Sequence, residues 1–310
     1  MFFGMTIYQM LWFFMIYAIV GWIVEVSFHV VTLGKIINRG FLNGPLCPVY
    51  GCGVIIVLMV LYGVGQCFGI ESDVSKASPV LLFVIGIIFA TLVELIAGFL
   101  LDKLFHTRWW DYSECRFNLN GYICLEFSII WGLAIAFVLG SIQPTFESFV
   151  DWFPHTLGII LMITAYVTLV ADVVITVLTV LKLNKELEKM ENIQQNILRM
   201  SNEMSEFVGN ATFKVMDKIE DEKANAEERK GEFYASMIDK KEERDNTKAE
   251  YEAKRAELQE KFDHMKTQIM YHKLFGTGRL VNAFPNAKHE KFQKQLEELR
   301  QMRAAKKESK

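Results

Sequence analysis

The sequence predicts an all-α fold: a polytopic membrane bundle of five helices (residues 1–181), a long cytoplasmic coiled-coil arm (182–275), and a Gly/Pro break with a short helix (276–310). Three observations predict it. Residues 1–181 hold six Lys and Arg against eleven Asp and Glu, whereas 182–310 hold 27 against 25, so the −3 formal charge averages two different halves. Residues 1–181 also contain five mostly apolar runs of spanning length. Beyond 181 the chain is charged and nearly free of Gly and Pro, with apolar residues spaced four and three apart. This pattern excludes a single soluble globule, because the first half carries more apolar surface than a soluble domain of its size buries. It also excludes a typical nucleic-acid binder, which would concentrate basic charge.

The spans follow from the bilayer as solvent, which needs about 20 apolar residues in a helix that satisfies its own backbone. They are expected near 7–31, 48–68, 80–101, 121–141 and 155–181. The opening MFFGMTIYQM has no Lys or Arg and is read as part of an anchor, not a cleaved signal. Lys35 and Arg39, then Lys103, Arg108 and Arg116, then Lys182 and Lys185 fall on one side; the other side has only Lys76. Positive residues stay inside, so the N-terminus is expected outside and the tail in the cytoplasm of a multi-pass cell-membrane protein. Five cysteines (Cys47, Cys52, Cys67, Cys115, Cys124) read as free thiols.

Carboxylates inside apolar spans are costly and mark candidate sites. Glu25, Glu94, Glu126 and Asp172 are expected at similar depth, near the cytoplasmic ends of their helices. Thr91, Glu94, Gly98 and Asp102 share one stripe of the third helix; Thr164, Thr168, Asp172, Thr176 and Thr179 share one of the fifth. The four acids either line a substrate or ion path or bond one another and the loop arginines to hold the bundle. A metal site at Glu25, His29 and Glu94, and acid–base hydrolysis by Glu94 and Asp172, are weaker readings, since neither spacing is a known ligand or catalytic signature.

Between the first two helices, residues 38–53 contain Gly40, Gly44, Pro45, Pro48, Gly51 and Gly53, which prevents a continuous helix. The segment is either a tight hairpin or a re-entrant loop lining a cavity, with Arg39 the nearest cation to the acids. The next connection carries Arg108, Trp109, Trp110 and Asp111, then Asn118. Adjacent tryptophans suit a headgroup interface; Arg108 with Asp111 is alternatively an ion pair or a docking surface.

GWIVEV, RGFLNGPLCPVYGCG, the TLVEL helix leading into RWWDYS, and FNLNGYICLEFSIIWG together resemble the CmpB-type family of ABC transporter permeases, over about residues 15–135. The tail element RLVNAFPNAK (279–288) is similar to a recurring end of members. One departure is Tyr122, where the resemblance implies Arg. The resemblance implies a multi-helix membrane protein grouped with transport permeases.

In the tail, Leu183, Leu187, Met190, Gln194 and Ile197 set a coiled-coil register that Tyr251, Leu258, Phe262, Met265 and Ile269 resume. Gly276, Gly278 and Pro285 break it, and a short helix is expected from Lys288 to Ala304. No Walker-type phosphate loop, GxSxG, HExxH, CxxC or GxGxxG occurs, so ATP-driven function requires a separate ATP-binding chain. The expected protein is a transport permease or permease-like subunit, not an enzyme, without cofactor or metal, contacting lipids and working as a homodimer. The competing class is a membrane-anchored scaffold or sensor acting through its coiled coil.

Overall fold

The computed structural model describes residues 5–34, 36–68, 77–223, 230–271 and 276–308. Lys35 and Lys76, which entered the loop-charge count, lie outside them. The helices are α1 (Ile7–Leu33), α2 (Pro48–Phe68), α3 (Pro79–Phe105), α4 (Leu125–Phe137), α5 (Gln143–Trp152), α6 (His155–Lys223), α7 (Lys230–Tyr271), α8 (Thr277–Ala283) and α9 (Gln293–Glu308). Four described stretches are helical, long and apolar enough to cross a membrane: Ile7–Val31, Pro79–Phe105, Leu125–Trp152 and His155–Asn210; the described apolar part of α2, Pro48–Gly63, is shorter.

Two compact units form: Met1–Asn184 with His272–Lys310, and Lys185–Tyr271. The C-terminal segment therefore belongs with the apolar helices. In the second unit, burial follows the four–three spacing at Leu187, Met190, Phe262 and Ile269.

Local chemistry explains the helix ends. Thr6 and Gln9 cap α1 reciprocally, and Gly34 closes it at φ 64°. The expected span at 121–141 is displaced: Asn118–Leu119 (β2) and Ile123–Cys124 (β3) pair antiparallel, so α4 starts only at Leu125. It then continues through a π-helical turn, Val138–Ile142, into α5 and on to Trp152. Pro144 is the reason, since it lacks an N–H and its ring clashes with the carbonyl four residues back. The helix that carries the last expected span does not break at 181: residues 159–208 contain no Gly or Pro, and α6 runs on to Lys223.

One apolar core joins Phe13 and Tyr17 of α1, Val57 and Leu58 of α2, Leu82 of α3 and Leu139 of the π turn. A smaller cluster joins Met15, Ala18, Leu42, Leu46 and Leu169, tying the α1–α2 loop to α1 and α6. Small residues set the α3–α4 approach, as where apolar helices must meet closely. A Cβ on Gly132 would sit 2.5 Å from Ile87 Cγ1 and 3.0 Å from the Phe83 carbonyl oxygen. Gly132→Leu should therefore overpack this contact by about 1–3 kcal/mol. In detergent it should melt below wild type, whereas Gly140→Ala, whose Cβ meets only Leu82 Cδ1 at 3.6 Å, should not.

Candidate functional site: an aromatic, acid-lined cavity

The first unit forms a half-open cavity of about 280 Å³, with Glu25, Arg39, Tyr50, Glu94, Trp109, Tyr112, Trp131 and Phe284 in its lining. Glu94 is 8% exposed. One carboxylate oxygen accepts from Tyr112 Oη at 3.1 Å, the other from Trp131 Nε1 at 3.1 Å. Glu25 accepts from Tyr50 Oη at 2.8 Å and faces Arg39 Nε at 3.6 Å. Tyr50 meets the edge of Trp131 at 5.4 Å, so one aromatic pair links the donors of both acids. Gly21 makes room for Tyr50: a Cβ there would lie 2.3 Å from Tyr50 Cγ.

Asp172 stands elsewhere. It caps the α1–α2 loop, accepting from the backbone N–H of Asn43 at 3.0 Å and of Gly44 at 2.6 Å, and from Asn43 Nδ2 at 3.0 Å. A Cβ on Gly44 would come 3.1 Å from Asp172 Oδ2, so glycine serves close approach here, not positive φ. The other side of the same loop is held by Arg279, 2% exposed, which donates to the carbonyls of Gly40 and Phe41 at 2.8 Å and to Asn43 Oδ1 at 3.1 Å. Burial lowers the Arg279 guanidinium to about 10 while Asp172 opposes the shift, leaving it charged at neutral pH. Arg39, Phe41, Cys47 and Pro48 of the loop reach the cavity, whereas Pro45 is exposed.

Residues 276–303 close the same end. Phe284 packs on Trp109 at 4.8 Å, and Trp109 on Phe41 at 5.2 Å. Lys288–His289 (β4) pairs antiparallel with Thr107–Arg108 (β1). Lys288 pairs with Asp111, and Arg300 donates to the Ala287 carbonyl at 2.5 Å. Burial alone would raise the Asp111 carboxyl, but Lys288 and Ser113 outweigh it and hold it below its usual range. Arg108 pairs with Asp102 at 3.0 Å instead of Asp111, and its guanidinium covers the ring of Tyr122 at 4.7 Å. Tyr122, in the place where the resemblance implied Arg, donates to Asp102 at 2.6 Å. Asn118 bonds the Ser113 and Cys115 carbonyls and the Gly121 N–H, fixing the turn that carries Tyr112.

Of the four expected acids, Glu25 and Glu94 share the cavity. Asp172 is a loop clamp, and Glu126 is exposed in the first turn of α4, outside the lining. The third-helix stripe does turn inward through Glu94, Gly98 and Asp102. Of the α6 stripe, Asp172 and Thr176 hydrogen-bond the loop; Thr164 and Thr168 are exposed and Thr179 is half-buried, and these three bond their own helix's carbonyls. No group of three or more His, Cys, Asp or Glu able to hold a metal gathers among the described residues. Burial, then Glu25, pushes the Cys47 thiol up to about 12, so it is a neutral thiol at physiological pH.

Sequence reasoning missed Tyr50, Tyr112, Trp131 and Arg279. It gave no sign of a second network, in which Glu147 accepts from Gln143 Nε2 and Tyr62 Oη, each at 2.9 Å, and Gln143 accepts from Tyr17 at 2.5 Å. The signal for Arg279 was available: RLVNAFPNAK is an apolar island in a charged tail.

Long apolar helices around an acid-bearing cavity fit a helical membrane protein. The chain belongs to the ABC_trans_CmpB family, described as "Putative ABC-transporter type IV", whose model matches residues 12–177. The match includes Glu25, the α1–α2 loop, Glu94 and Asp172, and stops short of Arg279. No curated protein and no solved structure matches the chain.

The closure at 276–303 carries a pH dependence. His289 is 4% exposed, and its Nδ1 accepts from the N–H groups of Lys291 and Phe292, each at 3.1 Å, which protonation would break. Burial, then His106, lowers it from 6.5 to about 4, with Glu290 opposing. The released segment therefore binds more protons than the docked one between those values. Docking is fully stable above about pH 6.5 and weakens as pH falls toward 4. The His106–Glu290 pair is 51% and 65% exposed, too weak to reverse the sign. Hydrogen exchange of residues 277–290, corrected for intrinsic rates, should be faster at pH 5 than at 7.5, and His289→Gln should flatten the difference.

Proposed function

We propose that the protein is a permease or permease-like subunit of an ABC-type transporter whose ATPase is a separate chain. Five spans place the N-terminus outside and the tail in the cytoplasm, and two copies form the working unit. Glu25 and Glu94 lie at the substrate path, and the arm at 185–271, with the loops around Trp109, meets the ATPase. The observation that carries this reading is the cavity. A carboxylate buried at 8% exposure costs several kcal/mol without a charged partner, so its presence points to a role. Here it is held by neutral donors around open space instead of being sealed in an ion pair. Family membership and the long apolar helices support the same assignment.

The test is purification of the full-length protein in mild detergent with mass spectrometry of every bound chain. A stoichiometric ATP-binding subunit and ATPase activity in the complex are expected. A homo-oligomer without an ATP-binding chain would overturn the proposal in favour of a membrane-anchored scaffold acting through its arm.

A further inference from the structure

The cavity's charges do not balance. Its lining carries two carboxylates, Glu25 and Glu94, against one guanidinium, Arg39, which faces Glu25. Glu94 bonds only Tyr112 and Trp131, both neutral, and no Lys, Arg or His reaches it among the described residues. Burial, then Glu94, keeps the Tyr112 phenol protonated and donating. The surrounding wall is aromatic, from Tyr50, Trp109, Trp110 and Trp131, with apolar helix side chains between them. A buried carboxyl with no cation of its own, beside aromatic walls, is an environment that favours a desolvated cation: the cation stabilises the ionised carboxylate by direct attraction and meets the ring quadrupoles. About 280 Å³ suits a small molecule, not a peptide.

Resting on the reading of this cavity as a binding site, we propose that it takes a monovalent organic cation with an apolar body, an amine or quaternary ammonium. The positive centre lies at Glu94 and the body lies against the aromatic wall. A metal ion is a poorer match, because the walls offer few oxygen ligands and no cluster of ligating side chains. A neutral apolar molecule would leave the Glu94 carboxyl without a charge partner.

The probes are benzyltrimethylammonium, its neutral isostere neopentylbenzene, and phenylmethanesulfonate, titrated into the full-length protein in phosphatidylcholine nanodiscs. Tryptophan fluorescence and calorimetry report saturation. The cation should bind saturably and the other two should not. Glu94→Gln should weaken it by about tenfold or more, the scale of a lost charge partner in a dry site. Glu126→Gln, at an exposed acid, should leave it unchanged, and an unaltered melting temperature of the Glu94→Gln protein confirms that it folds. Equal binding of the neutral isostere, or undiminished cation binding by Glu94→Gln, would overturn the charge assignment while leaving a binding cavity. Failure of every probe would overturn the proposal; an ATP-binding chain recovered on purification would still uphold the permease reading.

Discussion

The α1–α2 loop is the element on which the rest of the first unit depends, and two opposite charges hold it from two sides. Asp172 of α6 takes its N–H groups at Asn43 and Gly44; Arg279 takes its carbonyls at Gly40 and Phe41. Asn43 bridges the two, donating to Asp172 through Nδ2 and accepting from Arg279 through Oδ1. Residues 40–44 have no helix or sheet to satisfy their backbone, and buried peptide groups cannot be left unpaired. A carboxylate accepts and a guanidinium donates, so the pair supplies what regular structure would have supplied. Charge-assisted bonds of this kind are the stronger class.

The cavity follows from that clamp. With the loop fixed, Arg39 stands opposite Glu25, Phe41 supports Trp109, and Pro48 starts α2 so that Tyr50 reaches between the two acids. Arg279 also brings its own segment, and with it Phe284 and Lys288, against Trp109 and Asp111. The second unit, Lys185–Tyr271, is an insertion in the sequence of the first, and Asn184, which precedes it, donates to the Phe105 carbonyl at 2.9 Å.

Much of this was legible in the sequence, because apolar run length and Gly or Pro punctuation act locally. The first three helices lie close to where their compositions place them, and Glu25 and Glu94, singled out as costly acids, both lie in the cavity lining. What escaped depended on partners without local signatures. Asp172 was grouped with the cavity acids because its true partners are backbone N–H groups, which every residue carries. Glu126 was misplaced because the β2–β3 hairpin delays the helix and leaves it in an exposed first turn. The Arg108–Asp111 pair failed because Lys288, distant in sequence, returns to claim Asp111, while Asp102 lies a turn away for Arg108. The Gln143–Glu147 network was hidden by a π turn that Pro144 imposes inside an apolar run.

Asp172 and Arg279 act as one clamp on one loop, and a double-mutant cycle in unfolding free energy measures that coupling. Asp172→Asn, Arg279→Gln and the double variant are compared with wild type by reversible denaturation in mild detergent. Removing either side frees the loop, so the second change should then cost much less. The predicted departure from additivity is about 1 kcal/mol or more, within the range measured for groups in one network. Additive losses, agreeing within about 0.5 kcal/mol as for independent sites, would contradict the account.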